Sequence, residues 1–472
     1  MPTGNLKAAF SLVLALASIG LLYARPAPAS SAALSITDAR ARELVLAAAD
    51  FLDTMYVEPE KGKRIAEELR RRSETGRYDG SSTISTLADR LTADLQEVGR
   101  DKHLSARFDP QASSAHGGMI RRQIGDAPPG GMGAPQVRVV RGEGPTDPVR
   151  AERDRRSNFG FHSVERLDGN VGYLELRELT SLRASRDTAA AAMAFLSNSD
   201  AVIIDLRNCP GGSADTVSFL ASYFFGPGRH ELFSRYDRPG DETRVEYTTE
   251  DLPGRRMADT DLWILVGPGT ASAGESLAYL LQQFGRATVV GEGTAGAGYN
   301  VAMLPVGDGL VLGVSVAKPI HPKTGRGWEG EGVKPDVRVA AVDALSTAHS
   351  SALKKLLARA EEDRRKRELQ WAVERVTPGP ARRSAAELAS FSGRYGERTV
   401  ALEEGRLVCR AANGRARILD SLGKDAFTWD EQTRASFARD AAGRPAELVL
   451  ERVDGTVERF PRQTETRTKE TR

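Results

Sequence analysis

The sequence has little of several features that would point at once to a function class. Its 472 residues include only two cysteines, Cys209 and Cys409. They lie too far apart to form a disulfide framework or a cysteine-rich zinc site. Basic residues number 66 against 64 acidic residues, a net charge of +2. This balance indicates no polyanionic partner, so nucleic-acid binding is not expected. With 40% hydrophobic and 28% charged residues, the composition is globular and excludes a disordered, collagen-like or multi-span membrane chain.

Long apolar runs are also scarce, and the clearest one lies at the start of the chain. Lys7 precedes a mostly apolar run from Ala8 to Tyr23, which is shorter than the roughly 20 residues that span a bilayer. Ala27 and Ala29 follow with the spacing that signal peptidases cleave. We therefore expect a cleaved signal peptide, no integral membrane span afterwards, and a periplasmic or extracellular location. An uncleaved anchor is the alternative.

The remaining chain is long enough for several domains. Helical periodicity predicts three amphipathic helices before residue 100, and Gly- and Pro-rich sequence follows them. Short apolar strands then alternate with helices, which is typical of an α/β core covered on both faces. Further on, alternating residues separated by X-Gly turns predict antiparallel hairpins. The expected segments are a signal peptide (1–29), a helical N-terminal domain (34–112), a flexible linker (113–156), an α/β core (157–342), a helical linker (343–385), a β domain (386–463) and a tail (464–472).

The most informative loop follows the predicted strand Leu262–Val266 and leads into a helix. Ser272 stands at the start of that helix, where the helix dipole and free N–H groups favour the negative charge that nucleophilic attack creates. The other interpretation is structural, because Ser272-x-x-Glu275 is also a capping box.

A second loop, residues 205–213, also joins a strand to a helix. Gly211 and Gly212 let backbone N–H groups approach a ligand, so either could donate to an oxyanion. The same Pro-Gly-Gly sequence is common in plain tight turns.

Serine chemistry needs a base, and the chain has six histidines. His103 follows the third helix, and Glu329 in a later loop could hold a histidine in the required tautomer. Each also has an ordinary reading, as a surface or capping histidine and as a solvated carboxylate. The other five are His116, His162, His230, His321 and His349. No cluster has metal-ligand spacing, and no cofactor or metal is expected.

Together these motifs resemble the tail-specific serine peptidases of the C-terminal processing and tricorn type, within their interphotoreceptor retinoid-binding protein-like branch. The resemblance covers about residues 35–340. It is carried by Asp101-Lys102-His103-Leu104, by Asp205-Leu206-Arg207 with Gly211-Gly212, by Thr270-Ala271-Ser272-Ala273-Gly274-Glu275, and by the sequence from Gly169 to Leu174.

The resemblance implies an α/β fold with an N-terminal helical bundle, a catalytic core similar to crotonase and ClpP, and an appended antiparallel β domain. It implies that Ser272 is the nucleophile, that His103 is the general base and that Glu329 is its partner. The N–H of Ala273 with Gly211 or Gly212 would form the oxyanion hole. Peptidases of the Ser-Lys type place a lysine where this chain has Ala297, so the Ser-His-Glu type fits instead.

The resemblance further implies a protein or peptide substrate, typically a chain end of an exported or damaged protein, and assembly into homo-oligomers. Two alternatives stay open. The retinoid-binding namesakes use the same scaffold to hold apolar ligands, so the chain could be a non-catalytic binding protein. A weaker alternative is a surface-interaction protein whose β domain is the working part.

Overall fold

The computed structural model describes residues 35–110, 148–377 and 383–463. The expected signal peptide, most of the expected linker and the expected tail lie outside these ranges. None of the described helices is both long and apolar enough to cross a membrane.

Three helices form the N-terminal part, as the periodicity predicts. Thr37 caps the first, accepting a hydrogen bond from the Arg40 N–H (3.2 Å), and Thr83 caps the third. The first two helices approach closely at Gly62, where an added Cβ would lie 2.5 Å from the Leu52 carbonyl oxygen. The helices are α1 (Asp38–Met55), α2 (Pro59–Glu74) and α3 (Ile84–Gly99).

These helices pack on an antiparallel sheet from later in the chain. Its strands are β1 (Ser105–Phe108), β5 (Glu231–Asp237), β6 (Glu242–Tyr247), β9 (Asn300–Gly307) and β10 (Leu310–Ile320). Strand β10 is central, with β1 and β5 on one edge and β9 on the other. Leu44 and Leu52 of α1 share one buried cluster with Leu312 and Val314 of β10. The N-terminal helices therefore share their core with the α/β part, and the turn between α3 and β1 is held against that sheet.

A second, mostly parallel sheet carries the other site loops. Its order is β11-β8-β7-β4-β3-β2, and only the β2–β3 pair is antiparallel. Helices cover one face around Val217 and Leu277, and others cover the opposite face around Ala348 and Leu369. The strands are β2 (Phe161–Leu167), β3 (Val171–Leu176), β4 (Ala201–Asp205), β7 (Asp261–Val266), β8 (Ala287–Gly291) and β11 (Val337–Arg338). The helices around it are α4 (Pro148–Arg156), α5 (Leu182–Leu196), α6 (Ala214–Ser222), α7 (Ala273–Gln283), α8 (Ala344–Arg359) and α9 (Asp363–Val376).

Two parts of this layer differ from the expected segments. Residues 148–156 belong to the expected flexible linker but form α4, in which Asp154 is buried and pairs with Arg153 (2.8 Å). The expected helical linker supplies α8 and α9, which cover one face of the parallel sheet. These helices are part of the core because their alanine and leucine faces are buried on the strands.

The C-terminal part is antiparallel, as the turn pattern predicts. Gly405, Gly414, Gly443 and Gly455 all take positive φ angles, between 77° and 88°, as tight hairpin turns require. Two sheets pack over an aromatic cluster that includes Phe391, Phe427 and Phe437. The elements are α10 (Ala385–Ala389), β12 (Gly393–Tyr395), β13 (Arg398–Glu403), β14 (Arg406–Arg410), β15 (Ala416–Leu419), β16 (Ser421–Gly423), β17 (Ala426–Thr428), β18 (Thr433–Arg439), β19 (Pro445–Arg452) and β20 (Val457–Pro461).

Candidate active site

The Ser272 loop lies at the carboxyl end of the parallel sheet. β4 and β7 are adjacent, with Asp205 opposite Leu265, so the two glycine- and serine-bearing loops leave the sheet side by side. Ser272 has φ 49° and ψ −117°, a conformation rarely adopted by residues other than glycine. Ordinary helix caps have extended backbone instead. This strained strand-to-helix turn is typical of exposed nucleophiles.

Glu275 holds the Ser272 loop in place. Its buried carboxylate accepts a hydrogen bond from the Ser272 N–H (2.9 Å), as a capping box predicts. It also accepts from the N–H groups of Gly296 (2.6 Å) and Ala297 (2.8 Å) and from the Thr294 hydroxyl. The carboxylate therefore has a second function besides capping, which is to join α7 to residues 294–297.

The Gly211–Gly212 loop packs directly on Ser272. A Cβ at Gly211 would lie 2.8 Å from the Ser272 Cβ and 2.9 Å from the Ala273 nitrogen, so only glycine fits. The two loops are also joined by the Ala271 N–H, which donates to the Cys209 carbonyl (3.0 Å). Within residues 148–377, the N–H groups of Gly212 and Ala273 have no hydrogen-bond acceptor in the structure. Two free donors beside Ser272 are what an oxyanion hole needs.

His103 lies in a partly buried cluster with two carboxylates, of which Asp101 is fully buried. One ligand atom from each of Asp101, His103 and Glu329 lies within 4.8 Å of the others. The His103 Nδ1 is 3.6 Å from the Asp101 Oδ1, just beyond hydrogen-bond distance, and that oxygen accepts the His103 backbone N–H (2.8 Å). The structure thus brings together His103 and Glu329, which stand more than 200 positions apart in the sequence.

The cluster is anchored to the N-terminal helices and to the antiparallel sheet. The Asp101 Oδ2 accepts hydrogen bonds from the hydroxyl groups of Tyr56 (3.0 Å) and Ser315 (2.6 Å). Glu329 Oε2 accepts from the N–H groups of Gly298 (2.6 Å) and Tyr299 (3.0 Å). Because these hydrogen bonds already engage both oxygens of Asp101 and one oxygen of Glu329, the cluster is better suited to orienting an imidazole than to holding a metal ion.

One short segment, residues 294–299, connects the cluster with the Ser272 loop. At one end it bonds Glu275, and at the other it bonds Glu329. In its middle, the Ala295 N–H donates to the Thr270 carbonyl (3.0 Å) and the Ala295 carbonyl accepts from the Lys102 Nζ (2.5 Å). Thr270 and Lys102 are close in sequence to Ser272 and His103. Both functional loops are therefore hydrogen-bonded to the same stretch of backbone.

The two carboxylates have opposite pKa shifts. Burial and the nearby Asp101 charge raise the pKa of Glu329 above its usual value. Burial also opposes ionisation of Asp101, but hydrogen bonds from His103 and Ser315 outweigh it and lower the pKa of that group. The negative charge of the pair is therefore held preferentially on Asp101.

Ala297 and the other histidines were also considered in the sequence, and the structure places three of these residues. Ala297 is buried and its carbonyl accepts from the Trp328 Nε1 (3.2 Å), so a methyl group occupies the position of the lysine in Ser-Lys peptidases. His321 packs between Tyr279 and Phe284, and His349 bonds the Asp168 carbonyl on the far face of the parallel sheet. His116 is outside the described residues. Our sequence reasoning missed Asp101, although its position two residues before His103 is a usable signal.

Comparisons with known proteins identify a family and several relatives. Residues 170–339 match the model of peptidase family S41, and residues 28–129 match the N-terminal domain of that family in the eukaryotic interphotoreceptor retinoid-binding protein. A CtpA-like serine protease from Staphylococcus aureus is 27% identical over 186 residues, 39% of this chain and 36% of that protein. The corresponding protein from Staphylococcus epidermidis is also 27% identical, over 39% of this chain and 37% of its own length. The chain thus spans little more than a third of these relatives.

Similar solved structures include two peptidases. The photosystem II D1 C-terminal processing protease is 18% identical, with a TM-score of 0.41 over 64% of this chain and 93% of its own. The tricorn protease is 13% identical, with a TM-score of 0.37 over 71% of this chain and 37% of its own. These two matches assign residues 28–129 and 170–339 to peptidase family S41.

Proposed function

We propose that the protein is an exported serine endopeptidase that cleaves peptide bonds of protein or peptide substrates through an acyl-enzyme on Ser272. The observation that carries this proposal is the hydrogen bonding of both functional loops to residues 294–299. These bonds connect a strained serine and a partly buried histidine–carboxylate cluster to one short segment. Family membership supports the same chemistry.

The proton path follows from the orientation of His103. Its Nδ1 lies on the Asp101 side, which leaves Nε2 to take the proton of the Ser272 hydroxyl. The serine oxygen then adds to the peptide carbonyl carbon, and the carbonyl oxygen becomes an oxyanion. The imidazolium gives its proton to the leaving amine as the C–N bond breaks, and water attacks the remaining ester by the same route. Glu329 and Asp101 stabilise the imidazolium that forms in each half-reaction.

The oxyanion would accept hydrogen bonds from the Ala273 N–H and from the Gly211–Gly212 loop. The second donor would be the N–H of Gly211 or that of Gly212, which lie close to the buried Cys209 thiol in the same loop. Burial raises the pKa of that thiol to about 11, so it stays protonated. Losing one such donor generally lowers kcat by about 10²–10³-fold.

A serine-reactive fluorophosphonate probe tests the nucleophile. We expect it to label the wild-type protein but not a Ser272→Ala variant, and we expect that variant to lose peptide hydrolysis by ~10³-fold or more. Ser276→Ala is the matched control, because Ser276 lies one turn further along the same helix. Labelling that survives Ser272→Ala, or equal loss in both variants, would contradict the assignment. A peptide library digested by the wild-type protein would define the cleavage specificity.

The carrier alternative is less well supported. A cavity of about 650 Å³ borders Glu329, but charged side chains such as Lys318, Arg326 and Glu331 line it. Such a lining is unfavourable for an apolar ligand, since its charges would lose hydration without gaining partners.

A further inference from the structure

The C-terminal β sandwich has a cavity at one end, away from the site described above. On the inner face of the sheet β12–β15, the side chains change from apolar to cationic along the strands. One cross-strand row is Leu402, Leu407 and Leu419, and the next is Val400, Cys409 and Arg417. Beyond these, Arg398 and Arg415 stand at the end of the same face. The apolar core thus gives way to a cationic rim.

This rim lines a cavity of about 420 Å³, which we call the sandwich-end cavity. Arg398, Arg415, Arg417 and Arg452 line it together with Trp429 and Asp430. The volume lies in the range of roughly 300–1,000 Å³ that is usual for ligand sites. Four guanidinium groups line the cavity against one carboxylate, so its net charge is positive.

Two of these arginines have their charge neutralised within the protein. Arg417 is 3.4 Å from the Asp430 carboxylate, and Arg452 is 2.8 Å from Glu458. For Arg398 and Arg415 the described part of the chain supplies no carboxylate partner. The Arg398 Nε is buried and has no hydrogen-bond acceptor there.

Arg398 is also partly desolvated by aromatic rings. Its guanidinium lies 5.3 Å from the centre of the Trp429 ring and 4.7 Å from that of Phe460. A buried N–H donor of a charged group is costly when it lacks an acceptor, and an incoming anion would remove that cost. Arg398 is therefore a cation that lies on aromatic rings, lacks a carboxylate partner in the described residues and lines the cavity.

We propose that the sandwich-end cavity binds the carboxylate side chains of an acidic peptide segment, with Arg398 and Arg415 as the principal contacts. The planar fork of an arginine matches a carboxylate through two parallel hydrogen bonds. This binding requires no hydrolysis, so it stands apart from the peptidase proposal.

Binding can be measured on the full-length protein carrying Ser272→Ala, which prevents hydrolysis of the probe. The probe is a hexapeptide of alternating Glu and Gly, compared with its Gln counterpart, by titration calorimetry and tryptophan fluorescence. We expect the acidic peptide to bind at least about 10-fold more tightly, since charge-assisted hydrogen bonds are roughly twice as strong as neutral ones. A Trp429→Phe variant should abolish the fluorescence change.

Three arginine variants locate the site. Arg415→Gln and Arg398→Gln should each weaken binding of the acidic peptide about 10-fold. Arg415 is exposed, so its variant keeps the test valid if Arg398→Gln does not fold. Arg410→Gln is the matched control, because Arg410 lies on the opposite face of β14 and pairs with Glu403 (2.6 Å). It should bind the peptide like the parent protein.

Several results would overturn the proposal. These are no binding, equal binding of the Gln peptide, or an Arg410→Gln loss as large as that of Arg415→Gln. Binding of inorganic phosphate without binding of the acidic peptide would identify a free-anion site and refute a peptide site. Because none of these readouts depends on turnover, failure of the peptidase proposal would leave them unchanged.

Discussion

Replacing Gly211 with alanine tests the oxyanion hole without removing a reacting group. The new Cβ would lie 2.8 Å from the Ser272 Cβ and 2.9 Å from both the Ala271 oxygen and the Ala273 nitrogen. Carbon atoms in contact are normally about 3.5–4.0 Å apart, so the two loops must separate by roughly 0.7–1 Å. At the upper limit of the normal contact distance the separation reaches about 1.2 Å, and it displaces the Ser272 side chain and the Ala273 N–H.

The expected cost to catalysis follows from that displacement. A misplacement of about 1 Å in a reacting group can lower the rate by ~10²-fold, and loss of an oxyanion donor costs about 10²–10³-fold. We therefore expect kcat of Gly211→Ala to fall by about 10²–10³-fold with little change in KM. Steady-state hydrolysis of a peptide substrate and the rate of fluorophosphonate labelling measure this, and both should fall together.

A control separates the contact from backbone strain. Gly211 has φ 116°, and Gly228 has φ 97° but no atom within 4 Å of its added Cβ. Gly228→Ala should therefore lose about 1–2 kcal/mol of stability through strain and keep its activity. If Gly211→Ala retained kcat within a few-fold of wild type, or if Gly228→Ala lost as much, the proposed oxyanion hole would be wrong.

Three further predictions concern titratable groups. Glu329→Gln should lower kcat by about 10³-fold. It should nevertheless raise the melting temperature at pH 7. The pKa of Glu329 is raised in the folded protein, so its ionisation lowers the stability as the pH rises from about 4.5 through the folded-state value. The neutral glutamine does not ionise and avoids this loss. Asp101→Asn should lower both kcat and the melting temperature at pH 7. Because the pKa of Asp101 is lowered in the folded protein, its carboxylate stabilises the fold at pH 7 and loses this effect only on acidification. An unchanged kcat would exclude a positioning role for Asp101. His321 has a pKa lowered by burial to about 4, so acidification from pH 6.5 to 4 should cost ~2–3 kcal/mol of stability. His321→Phe should reduce that loss. Calorimetry at pH 7 measures the melting shifts of the two carboxylate variants, and calorimetry at pH 6.5 and 4 measures that of His321→Phe.

Local signals predicted much of the architecture. The run Ala201-Val202-Ile203-Ile204 predicts a buried parallel strand, and it lies in β4 with both faces covered. Turn glycines such as Gly405 predict hairpins, because a positive φ is a local requirement. These features depend on neighbouring residues alone, so the sequence is sufficient to predict them.

Long-range pairing was harder to predict. β1 is only four residues long, and it forms by pairing with β10, about 200 positions later. Nothing in the sequence near Ser105 indicates that partner. The same pairing holds Asp101 against Ser315, which is why the second carboxylate of the cluster was missed while the nearby His103 was found.

The loops of the site are held together by carboxylates that accept several hydrogen bonds, two of which, Asp101 and Glu275, are fully buried. Glu275 joins the Ser272 loop to residues 294–297, and Glu329 joins its own loop to residues 298 and 299. Asp101 joins the His103 turn to α1 and β10. Loops have few apolar contacts, and a buried carboxylate that accepts several N–H and O–H bonds fixes position and direction together. Removing such an acceptor would leave several buried donors unsatisfied. The loops that need the most exact geometry therefore depend on a few side-chain oxygens that accept hydrogen bonds.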